Sequence, residues 1–264
     1  MHLQFHIQAE DPGSRARRGV FVTPHGRVDT PAFMTVGTRA SVTGLTPADL
    51  VEVGTQVVLG NTYHLLLRPG VELFERVGGI HRFMGWDGPM LTDSGGYQIF
   101  SLSEDRVISE KGARFRSYTD RRMHMLSPEK SIAVQTAIGA DIMMVLDVCV
   151  DARSDLETTR AAMERTHRWA LRSLAARRDT PQALFAIMQG GIFPELRRAS
   201  AAFLTAHPFD GFAIGGLAVG DTRAEREEVT HMAAELLPAD RPRYLMGVGT
   251  PPDLLQAMLA GVDM

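Results

Sequence analysis

Two textures of apolar and polar positions divide the chain. Near the N-terminus, Phe5 to Gln8, Val20 to Thr23 and Arg27 to Met34 are short extended runs, separated by Asp11-Pro12-Gly13 and Pro24-His25-Gly26. Such turn residues between β-prone runs predict an antiparallel meander, an N-terminal flap over residues 1–34. Beyond it come seven nearly continuous apolar runs: Phe33 to Gly37, Val57 to Gly60, Met90 to Asp93, Asp141 to Asp147, Ala183 to Gln189, Gly211 to Gly216 and Arg243 to Gly249. Helix-start signals fall between them: Thr46-Pro47-Ala48-Asp49, Ser127-Pro128-Glu129, Asp151 leading to Ala176, Thr222 leading to Leu237, and Pro251-Pro252-Asp253. A Ser, Thr or Asp cap followed by Pro or an acidic residue is how helices begin. Apolar strands followed by helices predict a parallel sheet covered by helices. The fold class read from this pattern is α/β, a (β/α)8 TIM-type barrel with seven units and the start of an eighth near Gly261. No linker or repeat interrupts it, so residues 1–264 are expected to form one domain, with 1–34 the meander and 35–264 the barrel.

Composition narrows the classes. With 44% apolar and 22% charged residues, the 264-residue chain has the balance of a folded protein, and disorder as its main state is excluded. No 18-residue apolar stretch and no signal-peptide core is present, so a cytoplasmic location is expected. The net charge of −3 requires any nucleic-acid surface to be a local patch. Lys111 and Lys130 are the only lysines; every other cation is an arginine, whose planar fork suits phosphate. The single cysteine, Cys149, excludes an internal disulfide and any multi-cysteine metal site, and no metal site is expected within these residues. The sequence carries no P-loop, dinucleotide fingerprint or His-Glu-x-x-His motif, which removes support from nucleotide-triphosphate and zinc-hydrolase chemistry.

In a barrel the chemistry gathers at the C-terminal ends of the strands. There the chain places Asp93, followed by Ser94-Gly95-Gly96-Tyr97, then Asp147, Gln189 before Gly190-Gly191, and Gly215-Gly216. A carboxylate ending a buried strand is costly unless paired, hydrogen-bonded or awaiting a ligand. Diglycines let a flat ligand approach backbone, with the Gly95 and Gly96 N–H groups expected to be free, and Tyr97 offers a stacking face. Together these groups predict a pocket for a planar heterocycle rich in hydrogen-bonding groups, such as a purine. Each signal also has a plainer reading. A strand-end Asp can cap a helix, Gly-Gly can be a turn, and Asn61-Thr62-Tyr63-His64 can be a cap beside a packed histidine. Arg165 to Arg178 reads as a solvated helix face, and Cys149 as a small buried residue.

The wording of six motifs goes further. Val36-Gly37-Thr38, Leu59-Gly60-Asn61-Thr62-Tyr63-His64-Leu65 with Arg68-Pro69-Gly70, Asp93 to Gln98, Gln189-Gly190-Gly191, Gly215 to Gly220 and Tyr244 to Pro251 stand in order. They resemble the bacterial tRNA-guanine transglycosylases, and the resemblance runs from about Arg18 to Met264. It implies an enzyme, a pentosyl transferase of queuosine biosynthesis, that exchanges guanine at the anticodon wobble position of tRNA for preQ1, through a covalent ribosyl-aspartate intermediate. Carried over by motif, Asp93 is the proton acceptor and reads the edge of the base. Ser94, Gly95, Gly96, Asp147, Gln189 and Gly216 complete the base site, Tyr97 and Met246 sandwich the ring, and Gly247, Val248, Gly249, Thr250, Pro251, Pro252 and Asp253 lie against tRNA. The target base must be splayed from its loop to enter. A homodimer and a structural zinc held by three cysteines and a histidine are further implications.

The resemblance also shows two departures. The family's Asp-Glu-Cys reads Asp147-Val148-Cys149, which removes a carboxylate beside the base site. The family's nucleophilic aspartate and its zinc ligands correspond to positions past Met264, with Asp263 only a neighbour of the nucleophile. The 264-residue chain is therefore expected to carry the base-binding half of the enzyme and not to exchange guanine by itself. The alternative is a shortened, non-catalytic paralogue that binds a 7-deazaguanine or partners a full-length subunit. A relative acting on DNA is the third reading, against which the Tyr244 to Thr250 motif speaks.

Overall fold

A computed structural model describes residues 3–103 and 105–264; Met1 and His2, inside the expected meander, lie outside them. The meander forms as β1 (Phe5–Glu10), β2 (Arg17–Thr23) and β3 (Gly26–Thr30), paired antiparallel with Phe5 opposite Phe21 and Thr23 opposite Gly26. Its third strand ends at Thr30 and does not run on to Met34. Pro31 supplies no N–H to continue the ladder, and the chain turns there into the barrel.

Seven parallel strands follow: β4 (Met34–Val36), β5 (Val57–Gly60), β6 (Met90–Thr92), β10 (Ile142–Met144), β11 (Ala183–Met188), β12 (Gly211–Ile214) and β13 (Arg243–Leu245). The sheet order is β13-β12-β11-β10-β6-β5-β4, so each strand pairs with the next barrel unit, as the repeated apolar runs require. Every residue of β5, β6, β10, β11 and β12 is buried, which is why these strands read as continuous apolar runs without alternation. Residues 263 and 264 run on beside β13: Asp263 N–H and Met264 N–H donate to Arg243 O, and Met264 O accepts from Leu245 N–H. On the other side Ala32 N–H, next to β4, donates to Asp263 O at 2.9 Å.

The helices are α1 (Pro47–Glu52), α2 (Thr62–Leu67), α3 (Val71–Val77), α4 (Ile80–Met84), α5 (Gly96–Leu102), α6 (Pro128–Ile138), α7 (Leu156–Ala176), α8 (Pro194–Thr205), α9 (Arg223–Leu236) and α10 (Pro251–Leu259). Thr46, Ser127 and Thr222 cap α1, α6 and α9 with their side chains at the start signals read from sequence, whereas α7 is capped by Asp155, four residues past the expected Asp151. A second antiparallel sheet, β7 (Arg106–Ser109), β8 (Gly112–Arg116) and β9 (Met123–Leu126), is inserted between α5 and α6. Arginines of α7 hold it: Arg168 forks onto Glu110 at 2.9 and 3.0 Å, and Arg172 donates to Glu110 O. Arg172 also forks onto Glu129. Arg168 and Arg172 thus lie on a solvated helix face but are paired, tying α7 to the inserted sheet.

One seam of the sheet is nearly open. Strands β6 and β10 share a single register pair, Leu91 with Ile142. The buried Gln135 of α6 closes the gap: its Oε1 accepts from Met144 N–H at 2.8 Å and Thr92 Oγ1–H at 3.1 Å, and its Nε2 donates to Met144 O at 2.9 Å. A side-chain amide matches the donor and acceptor pattern of a peptide group, so Gln135 replaces the missing ladder rungs. Together with the Asp141 N–H to Met90 O bond at the start of the strands, Gln135 ties the two strands that lead to Asp93 and Asp147.

Candidate active site

Asp93 follows β6 directly. Its Oδ2 accepts from Asn61 Nδ2 at 2.5 Å and its Oδ1 from Thr62 N–H at 2.8 Å, while Thr62 Oγ1–H donates to Asp93 O. Asn61 stands at the N-cap position of α2 but makes no side-chain cap; its amide goes to Asp93 instead. Burial raises the Asp93 carboxyl to about 6, against the pull of these donors, and the nearby Asp147 adds to the rise.

Asp147, three residues past β10, is the second buried carboxylate. Its Oδ1 accepts from Ser94 Oγ–H at 2.6 Å and its Oδ2 from Gln189 Nε2–H at 2.8 Å. Burial raises its pKa as well. The strand-end loops of β6, β10 and β11 therefore meet at one carboxylate. Two donors occupy only part of its acceptor capacity, leaving lone pairs for a ligand.

Both acids line a cavity of about 440 Å³, within the range of small-molecule sites. Its walls include Tyr97, Ser94, Gly215, Gly216, Tyr244 and Met246, with Phe33, Val36 and Cys149 also facing it. Among the described residues no Arg or Lys lines it, so the ligand it suits is a donor of hydrogen bonds, not an anion. The apolar wall of Tyr97 and Met246 supplies faces for a flat ring. Gly247, Val248 and Gly249 also line it, and Thr250 stands at the next turn as N-cap of α10, where Thr250 Oγ1–H donates to Asp253 Oδ2. Pro251, Pro252 and Asp253 form the first turn of that helix.

Some expected residues act from behind the wall. Gln189 does not line the cavity; it holds Asp147, and its Oε1 sits against Gly216, whose φ of +67° suits glycine. Gly95 and Gly96 are likewise off the wall, and the Gly96 N–H is not free, since it donates to Ser94 Oγ at 3.0 Å. Gly96 is needed for space: a Cβ there would collide with the carboxylate and the carbonyl of Asp147. Gly96→Ala is expected to cost about 1–3 kcal/mol of stability, measured by urea unfolding, because backbone or Asp147 must shift. His64 lies outside the cavity wall, its Nδ1 2.9 Å from the Tyr118 hydroxyl of the β8–β9 turn.

The roof lies inside the Gly215 to Gly220 motif, although the sequence assigned residues 217–219 no role. Residues 217–219 close one side of the cavity and are pinned from two loops. Ala152 N–H donates to Val219 O at 2.9 Å and Val219 N–H to Asp221 Oδ1 at 2.9 Å. Arg153 Nε donates to Gly220 O at 3.1 Å while its fork grips Glu225. Beneath the neighbouring loop the buried Arg197 donates to Met188 O and Gly191 O, both at 2.9 Å, fixing the turn that carries Gln189. Asp263 is not in the cavity; the buried Arg17 holds both its oxygens, at 2.9 and 2.5 Å. The implied zinc does not fit these residues: there is one cysteine, Cys149, and burial beside Asp147 pushes its thiol up, away from the thiolate a metal needs.

Comparison with known proteins identifies the family. The family model described as queuine tRNA-ribosyltransferase matches residues 11–264. A queuine tRNA-ribosyltransferase of Solidesulfovibrio magneticus is 53% identical over 94% of this chain and 67% of its own length. Those of Thermus thermophilus and Desulforamulus reducens are 53% and 48% identical, over 98% and 100% of this chain and 68% and 71% of theirs. The chain thus spans about two thirds of the length of these relatives. With the motifs in register and their carboxylates converging on one pocket, the chain belongs to the queuine tRNA-ribosyltransferase family, the pentosyl transferases that act on tRNA.

Proposed function

We propose that this chain carries the base-binding site of a tRNA-guanine transglycosylase, which receives the guanine released from the wobble position and seats the preQ1 that takes its place. The supporting observation is the pairing of two buried carboxylates, Asp93 and Asp147, on one cavity with aromatic and thioether walls. A guanine-type base offers a ring N–H and an exocyclic amine side by side, which suits the free lone pairs of Asp147 held in place by Ser94 and Gln189. Asp93, poised near pH 6, is ionised at neutral pH and accepts a proton from the incoming base. Tyr97 and Met246 sandwich the ring, and Gly216 gives it backbone contact. Residues 247–253 lie against the anticodon loop, from which the target nucleotide is splayed. In this reading the exchange runs through a ribosyl-aspartate intermediate on an aspartate other than Asp93 and Asp147. Its oxygen bonds ribose C1′ as the bond to guanine breaks, and the incoming base, giving up its proton, then displaces it. The whole of residues 1–264 works as one domain in this reading, cytoplasmic and homodimeric. Among the described residues, no helix is long and apolar enough to cross a membrane.

Asp147→Asn tests the base site. The amide keeps the shape but offers one acceptor where two donors and a ligand converge, so preQ1 and guanine are expected to bind at least about tenfold more weakly in calorimetry. An unchanged dissociation constant would remove Asp147 from base recognition.

A further inference from the structure

The opposite end of the strands holds a second set of chemical groups. His25 lies in the two-residue β2–β3 turn, His81 in α4, and Asp141 just before β10. His25 Nδ1 stands 2.8 Å from Asp141 Oδ1, and His81 Nε2 stands 3.1 Å from Asp141 Oδ2. The two imidazoles stack with centroids 3.5 Å apart and planes 12° apart. We propose that His25, His81 and Asp141 form a binding site for a first-row divalent metal ion, zinc being the simplest probe, that staples the N-terminal sheet to the floor of the barrel.

The donor set carries the assignment. Two imidazole nitrogens and a carboxylate are the ligands such ions take from proteins, with bonds of about 2.0–2.2 Å that set neighbouring donors roughly 3 Å apart. The donor atoms of the three residues all lie within 4.8 Å of one another, and the two nitrogen–oxygen spacings are already of that size. The carboxylate is fully buried, yet its partners are the two histidines and Met90 N–H, with no Arg or Lys among them. Met90 N–H, donating at 2.8 Å, orients the carboxylate as outer partners of metal ligands do. The His25 side chain is 39% exposed against 9% for His81, so the site opens to water on one side, where an ion enters and a water completes its coordination. The site is distinct from the cysteine-based zinc implied by the family resemblance and rests on none of the reasoning about base exchange. It departs from the expectation that no metal site lies within these residues.

Untagged chain, stripped by chelation, is titrated with Zn(II) by calorimetry and with Co(II) by visible absorption. The expected result is one equivalent bound, a ligand-field band for Co(II), and a rise of several degrees in Tm with zinc. His25→Ala and His81→Ala are expected to weaken binding at least about 100-fold and to abolish the Tm shift. His6→Ala, on the exposed face of β1, leaves both unchanged. His25 is an exposed turn residue, so its variant folds and decides the matter. Absence of saturable binding in the wild type, or equal binding by His25→Ala, overturns the proposal and leaves a hydrogen-bonded tie between the two layers.

Discussion

Replacing Asp93 by Asn, in the chain extended to the full length of its relatives, is expected to lower guanine exchange into tRNA about a thousandfold. The amide cannot take a proton, and it sets a donor against Asn61 Nδ2 or Thr62 N–H, both of which now donate to the carboxylate. The same change alters stability in a way that a purely structural residue would not. The folded pKa of about 6 lies above the ordinary 3.8, so between roughly pH 4 and pH 6 the folded state binds a proton that the unfolded state has lost. The contribution of Asp93 is therefore fully present below pH 4 and is lost as pH rises through 6, about 3 kcal/mol in all. Urea unfolding across that window should show the decline in the wild type and a flatter profile in Asp93→Asn. Unchanged exchange kinetics would remove Asp93 from the mechanism; parallel pH profiles would show that its burial does not tune it.

The second large effect concerns stability alone. Arg17 and Asp263 form a buried pair with side chains 3% and 0% exposed, joined by two hydrogen bonds, and Asp263 Oδ2 also accepts from Arg243 N–H at 2.8 Å. Arg17 directs its remaining donors to Ala239 O and Arg241 O. Asp263→Asn leaves the guanidinium buried without its counter-charge, at an expected cost of about 3–5 kcal/mol and a Tm lower by about 10 °C. The double variant Arg17→Met with Asp263→Leu should lose less than Asp263→Asn, because no unpaired charge remains. A single-variant loss below about 1 kcal/mol would mean that water reaches the pair.

Five of the seven barrel strands, β5, β6, β10, β11 and β12, were legible because both of their faces are buried, which leaves an unbroken apolar signature. The strand-end acids were legible for the same reason: a carboxylate breaks such a run visibly. Helices α2 to α5 were not, since five to seven residues span too few turns for a 3.6-residue period to register. The β7–β9 insertion escaped because its strands are four or five residues long and expose Val107, Met123 and Met125, blurring the alternation. At the site, the Asp147 network is built by residues 94 and 189, whose convergence only the fold supplies. Asn61 carried a misleading signal, an Asn before a helix, where its amide serves Asp93. His25, His81 and Asp141 share no local spacing at all.

The partners Arg17 and Asp263 are 246 positions apart, so the order of synthesis matters for the molecule. On the ribosome the first β-sheet emerges long before the aspartate that neutralises its inward-facing guanidinium. Until residue 263 arrives, that arginine lacks its counter-charge, although Phe21, Val28 and the His25–Asp141 contact already give the first sheet places to dock. The Arg17–Asp263 tie is thereby a late contact of high sequence separation, and a nascent chain stalled short of residue 263 would lack it.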